Sequence, residues 1–393
     1  MKKNFTLLLV LTSFLVLAQP PGYYTTATGT GYTLKTQLKT IITANHIDRG
    51  YGGLWTLYAT NSSFHDQYDD NDGSIYDIYS EIIGSPETGN YPFTPVTDQC
   101  GTYSIEGDCY NREHLIPQSY FDEFAVNPMK NDPFHVFPSD GKVNGWRSSY
   151  PFGVVEGITS PCNSAASNTP CNSLNNSKKG NNKITQFSNY SGIVFEPIDA
   201  FKGDIARAYF YFATRYEDSM DNFYSSVTNI NDCPAKNMFD GSINKVFSDN
   251  FILLLIKWHK EDPVSAKEVA QNNAIYTYQG NRNPFIDNPN YVCQIWTSQC
   301  AVVDGFLASE SFVFENNLTV YPNPTINNEV YVESELELKT IILYNVNGQI
   351  IQEIKNPSKV ENNAYKVSNL PTGFYIMQLA SENASTTKKL IVN

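Results

Sequence analysis

The sequence predicts an α+β protein in two parts: a mainly helical domain, then a small all-β sandwich. Three observations predict it. Apolar residues recur at helical spacing in several segments before residue 305. A short strand, a loop and a helix start can be read between residues 110 and 147. Beyond residue 317 the chain turns into short alternating runs separated by turns. A length of 393 residues is enough for two domains.

Residues 1–18 read as a secretory signal peptide. Lys2 and Lys3 open it, an apolar run from Phe5 to Leu17 follows, and Val16-Leu-Ala18 leaves small residues before a cut at Gln19. That run is too short for a membrane span, and no later run approaches the roughly 18 residues a span needs. A first domain is expected over 19–305. Leu34, Leu38, Ile41 and Ile42 mark a helix within 34–44. Pro117 closes a strand that holds Glu113 and His114. Asn144 falls at a helix start or in the loop before it. Residues 160–192 are rich in Ser, Asn and Lys and read as a loop. Helices are expected over 198–216, 248–260 and 263–273, the last with Asp262 as N-cap and Pro263 at its first position. A linker is expected at 306–316. About seven short strands then fit a small sandwich over 317–393, with turns at Asn345–Gly348 and Pro371–Gly373. This part holds no cysteine and no histidine.

Loss of the first eighteen residues removes two lysines and no acid, taking the formal charge from −13 to −15. Such acidity suits solubility outside a cell. Nucleic-acid binders gain affinity from basic patches instead, so a nuclease reading needs a local basic groove. Lys142, Arg147, Lys178, Lys179, Lys183, Arg207 and Arg282 are candidates for it. Six of the seven cysteines fall into close pairs, which suggests Cys100–Cys109, Cys162–Cys171 and Cys293–Cys300, with Cys233 left over. A zinc site is the rival, but the tight spacing and suitably placed histidines are missing. Spacing alone leaves the connectivity open.

Glu113 and His114 are adjacent, and Asp140-Gly-Lys-Val-Asn144-Gly-Trp-Arg147 follows. A carboxylate and an amide can hold a hard divalent cation through oxygen. An imidazole can take a proton from water. An arginine can neutralise a phosphate. Together these are the parts for metal-assisted phosphodiester hydrolysis. On a regular strand the side chains of 113 and 114 face opposite ways, so one site for both needs an irregular backbone or one group acting from beyond the metal.

Cys109-Tyr-Asn-Arg-Glu-His-Leu-Ile-Pro-Gln-Ser119 and Ser139-Asp-Gly-Lys-Val-Asn-Gly-Trp-Arg-Ser-Ser-Tyr-Pro-Phe-Gly153 resemble the endonuclease I family of secreted nucleases. The likeness continues through Phe195-Glu-Pro, Lys202–Tyr211, Trp258-His259, Asp262-Pro263 and Gln279–Asp287, and covers residues 23–300. It implies a ββα-metal active-site motif, Glu113 and Asn144 as ligands of Mg2+ or another divalent cation, and His114 as general base. Neutral His114 is then the reactive form, so activity should fall in acid. Arg147 is expected to act at the phosphate, with a structural ion pair as the alternative; Arg207 and Arg282 are candidates to bind substrate, against core packing with a buried salt bridge for Arg207 and turn architecture for Arg282. His135 is expected to orient the reacting groups from behind them. Its context, Asn-Asp-Pro-Phe-His-Val, departs from the family pattern and leaves Asp132 without an assigned role. Asp77 is expected to cap, and His46, His65 and His259 to be structural or exposed. The tail has its own resemblance. Val320-Tyr-Pro-Asn-Pro324, Ile342–Gln349, Leu370–Tyr375 and Thr387–Val392 are similar to a type IX secretion sorting domain. That implies a Gram-negative host, recognition by the secretion machinery, export across both membranes and removal of the tail.

The expectation is therefore an extracellular, monomeric, sequence-nonspecific endonuclease cutting DNA, with RNA as a second substrate. Two rivals stand beside it: an extracellular ribonuclease, and a catalytically inactive nucleic-acid-binding surface protein.

Overall fold

The computed structural model describes residues 19–68, 71–82, 92–121, 127–157, 162, 171–174, 176–325, 327–360, 364–381 and 384–393. The expected signal peptide lies outside them. The chain divides into two compact units, one ending at Thr297 and one beginning at Ser298.

In the first unit the helices are α1 (Gly31–Thr43), α2 (Tyr51–Thr60), α3 (Gln118–Phe121), α4 (Gly141–Arg147), α5 (Lys202–Arg215), α6 (Met220–Ser226), α7 (Asp249–Glu261), α8 (Ala266–Gln279), α9 (Pro284–Asp287) and α10 (Tyr291–Ile295). Strands β1 (Tyr110–His114) and β2 (Val136–Asp140) form an antiparallel pair, and β3 (Cys171–Asn172), β4 (Lys178–Asn181) and β5 (Ile193–Glu196) form an antiparallel sheet. α1 buries Leu34, Leu38 and Ile42, one turn apart, which is the stripe that the sequence pattern predicts. α5 is buried from Gly203 to Thr214 and packs against α1, α7 and α9. A helix buried all round needs aromatic and small residues on every face, and its sequence supplies them.

Two element expectations in this unit are corrected. The helix expected at 263–273 runs from Ala266 to Gln279. Its N-cap is Ser265, which accepts from the Glu268 N–H while the Glu268 side chain accepts from the Ser265 N–H. Asp262 instead accepts from the Gly203 N–H at 2.8 Å, tying the end of α7 to the start of α5. Gly280 ends α8 at φ 85°, where a Cβ would lie 2.3 Å from the Asn45 carbonyl oxygen. The loop expected at 160–192 contains β3 and β4, because Lys178–Asn181 finds a ladder partner in β5.

The second unit holds β6 (Leu318–Tyr321), β7 (Val330–Ser334), β8 (Thr340–Asn345), β9 (Ile350–Lys355), β10 (Ala364–Val367), β11 (Gly373–Ala380) and β12 (Ser385–Val392). They form two antiparallel sheets, ordered β10-β7-β6 and β12-β11-β8-β9. Alternate residues Val330/Val332, Ile341/Leu343, Tyr375/Met377/Leu379 and Leu390/Val392 meet in one core. Residues 306–316, expected as a linker, are the later part of helix α11 (Thr297–Asn316), and Phe314 is buried in that core. No described helix is long and apolar enough to cross a membrane.

Cys100–Cys109 and Cys162–Cys171 are disulfides, Cys293 and Cys300 are disulfide-bonded as well, and Cys233 is a buried thiol. The expected three-disulfide framework is present.

Candidate active site

β1, β2 and α4 hold the residues singled out by sequence. The two strands pair in register, Glu113 with Phe137 and His114 with Val136, and α4 follows β2 directly. Asp140 is the joint. Its side chain accepts from the N–H groups of Lys142 and Val143 and from Gly107, while its own N–H donates to Asp77 at 2.7 Å. An aspartate that caps the helix start satisfies donors the helix cannot pair itself. Asp77, expected to cap, instead accepts from the Asp140 and Tyr79 N–H groups and supports the capping residue, and burial with the neighbouring Asp140 charge pushes its pKa up to about 8.

Alternation along β1 separates its residues. Asn111 and Glu113 face α4. Asn144 Nδ2 donates to Asn111 Oδ1 at 2.7 Å, and Arg147 NH1 lies 3.0 Å from Glu113 Oε1. Because 144 and 147 are one turn apart, the helix matches the two strand residues rung for rung. The Tyr79 hydroxyl also donates to Glu113 Oε1, at 2.7 Å. Burial pushes Glu113 up to about 7; the Arg147 charge and the Tyr79 bond act against that rise.

His114 sits on the opposite face, as the regular strand requires. Its Nε2 lies 3.1 Å from the Lys130 carbonyl oxygen. A carbonyl only accepts, so Nε2 carries the hydrogen and Nδ1 keeps a lone pair. The ring packs against Tyr51, Phe121 and His135. Burial pushes its pKa down to about 3, helped by His135, so it is neutral at ordinary pH.

Four expected roles change once their surroundings are seen. Arg147, expected at the phosphate, is 1% exposed. It donates to the carbonyls of His114 (2.9 Å) and Leu115 (2.6 Å) and pairs with Glu113, which leaves it facing the protein rather than a substrate. Arg207 is fully buried between Glu268, Asp204 and the Asp262 carbonyl. Arg282 is held bidentate by Asp287, with both bonds at 2.7 Å, and also donates to Asn273. Both are architecture, not substrate-binding residues, because every face of each guanidinium is enclosed. His135 hydrogen-bonds the Met129 carbonyl at 2.6 Å and meets His114 only through its ring, 5.9 Å away. The hydrogen bond that orients His114 comes from Lys130. Asp132 is a buried hub, accepting from Tyr211, Tyr216, Gln279 and the Phe134 N–H.

The Arg207 assignment has a direct check. Arg207→Met is expected to destabilise the protein by about 3–5 kcal/mol, since it leaves Glu268 buried without its cation, while Asp204 keeps Lys267 at 2.7 Å. Activity per folded molecule should be kept. A melting curve like the wild type's, with weakened substrate binding, would return Arg207 to the substrate surface.

Sequence reading missed Tyr79, Asn111 and Lys130. Tyr79 lies within the Tyr-Asp-Ile-Tyr-Ser string and Asn111 within the Glu113 motif, but nothing local marks either as a neighbour of α4. Lys130 contributes through its backbone carbonyl, which leaves no signature in sequence.

The donors available for an ion are oxygens. Both side-chain contacts of Glu113 use Oε1. Asn144 spends its Nδ2 on Asn111, which turns its Oδ1 away from that bond. An all-oxygen pair fits a hard cation such as magnesium, with water completing its shell. Among the described residues no group of three or more His, Cys, Asp or Glu side chains is arranged to hold a metal.

Residues 30–290 match the model of the family described as Endonuclease I, and residues 319–393 match one described as a secretion system C-terminal sorting domain. The chain is 30% identical over 298 residues to an extracellular ribonuclease of Bacillus subtilis (strain 168), covering 72% of this chain and 84% of that protein. It is 29% identical over 283 residues to an extracellular ribonuclease of Bacillus amyloliquefaciens, covering 71% and 79%.

Proposed function

The chain belongs to the endonuclease I family, and from that premise we propose that it is a metal-dependent, sequence-nonspecific endonuclease whose general base is His114. It carries a C-terminal sorting domain and is secreted or held at the cell surface. The observation that carries the mechanistic reading is the state of His114. Its Nε2–H is tied to a backbone carbonyl, its Nδ1 keeps a lone pair, and burial keeps the ring neutral.

In this reading β1, β2 and α4 are a ββα-metal motif. Glu113 and Asn144 would hold the ion through oxygen, and when bound it supplies polarisation of the phosphate and charge for the leaving oxygen. His114, on the face of β1 opposite to Glu113, would act from beyond the ion, its Nδ1 taking the proton from the attacking water. Arg147 positions Glu113 and fixes the strand end through the carbonyls of His114 and Leu115. Tyr79 donates to the same carboxylate. The sorting domain would hand the chain to a type IX secretion machinery.

A second substrate is favoured by a specific finding: two relatives at about this similarity are named as extracellular ribonucleases. Supercoiled plasmid and RNA are therefore to be digested side by side by purified protein, with magnesium and with EDTA. The expected result is nicking then linearisation of plasmid, degradation of RNA, and loss of both in EDTA. RNA cleavage without plasmid cleavage would replace the DNA reading with a ribonuclease. Full activity in EDTA would remove the ion from the mechanism.

A further inference from the structure

Three arginines that looked like substrate ligands in sequence are enclosed and paired, so an acidic chain still needs cations near His114. Arg112 and His114 are two apart on β1 and share a face. The Arg112 guanidinium centre lies 3.4 Å from the centroid of the Tyr51 ring and 4.4 Å from that of Trp55, and NH1 donates to the Tyr51 carbonyl at 2.7 Å. Lys130 Nζ lies 5.0 Å from the same Tyr51 ring, and its carbonyl is the one that holds His114. The Tyr51 ring is itself 5.8 Å from the imidazole. Arg112, Lys130 and Tyr51 are all partly exposed.

Neither cation has an ion-pair partner among the described residues. Asp48, which accepts from Asn131 Nδ2 at 2.7 Å, is committed there and to the Gly50 N–H. Two positive groups on one ring repel each other. The ring face offsets part of that cost, and a bound anion would remove the rest. The hydrogen bonds of Arg112 run to Tyr51 and not to a carboxylate, and its planar fork matches phosphate oxygens.

We infer that Arg112 and Lys130, gathered on Tyr51, form a phosphate-binding edge beside His114 that holds the nucleic-acid backbone during cleavage; this rests on the nuclease reading above. The aromatic rings here carry cations instead of presenting open faces to bases. The edge therefore reads backbone and not sequence, which accounts for cleavage without base preference.

The test uses full-length His114→Ala protein in EDTA, with short fluorescent single strands of DNA and of RNA, and anisotropy followed across ~50–200 mM salt. Adding Arg112→Gln or Lys130→Gln is expected to weaken binding about tenfold and flatten the log K against log salt slope by ~0.7 for each lost phosphate contact. Arg112→Lys should keep most of the slope. Lys39→Gln, at a lysine paired with Asp218 at 2.7 Å, should leave it unchanged. If Arg112→Gln melts early, Lys130→Gln and Arg112→Lys carry the comparison. Slopes unchanged in both glutamine variants, from a parent that binds, would overturn this inference alone. A parent that binds neither strand, with a wild type that cleaves nothing, would overturn the nuclease reading and this inference with it.

Discussion

Replacing His114 with alanine is expected to slow nucleic-acid hydrolysis by about 10²- to 10⁴-fold while the chain stays folded. The imidazole is the one neutral base placed at the end of β1, and its remaining ring nitrogen has no other task. Alanine removes the base and leaves the Lys130 carbonyl without its donor. It also opens a gap beside Phe121 and His135. His114→Asn separates these effects. Its amide can still donate to the carbonyl but cannot take the proton, so the rate should stay low while the melting temperature recovers. Calorimetric titration with a divalent ion should give affinity close to wild type for both variants, since the ligands proposed are Glu113 and Asn144. Turnover unchanged in either variant would remove His114 as the base.

Arg147→Met is expected to destabilise the protein by about 3–5 kcal/mol and to abolish most activity through Glu113. The guanidinium is 1% exposed, and its loss strips donors from two buried carbonyls and the partner from a buried carboxylate. The pH dependence has a definite sign. Glu113 has its folded pKa raised to about 7, above the ordinary carboxylate value, and the Arg147 charge is what holds it from rising further. Without that charge the carboxylate is protonated over more of the pH range. The stability deficit of the variant should therefore grow as the pH rises above about 7, where wild-type Glu113 is charged and paired while the variant must keep it protonated or bury it unpaired. It should shrink as the pH falls and a proton replaces the arginine. Chemical denaturation at several pH values measures this. A variant as stable as wild type that only raises KM would place Arg147 at the substrate after all.

The α+β class was legible because hydrophobic period is a local property. Leu34, Leu38 and Ile42 mark one side of α1 whatever lies opposite, and the alternation in the tail marks its sheets in the same way. Caps were less legible. Asp262 and Ser265 are both good N-cap residues, and only the reciprocal bond to Glu268, with the Gly203 N–H claiming Asp262, decides between them. Lys178–Asn181 looked like loop because it is polar; it becomes a strand by pairing with Ile193–Glu196.

At the site, the residue types of the motif are legible in the chain alone: a carboxylate, an imidazole, an amide and an arginine. Alternation along the chain also determined that Glu113 and His114 face opposite ways on a regular strand. Tertiary structure alone decided which cations are available. Arg147, Arg207 and Arg282 are identical in type to Arg112, yet the first three are enclosed by Glu113, by Glu268 with Asp204, and by Asp287, whereas Arg112 lies partly exposed on Tyr51 with no carboxylate partner among the described residues. The physical reason is that a guanidinium's role follows from what surrounds it. Burial removes its water and obliges it to find anions inside the protein, and only one left at the surface without such a partner can meet a phosphate from outside.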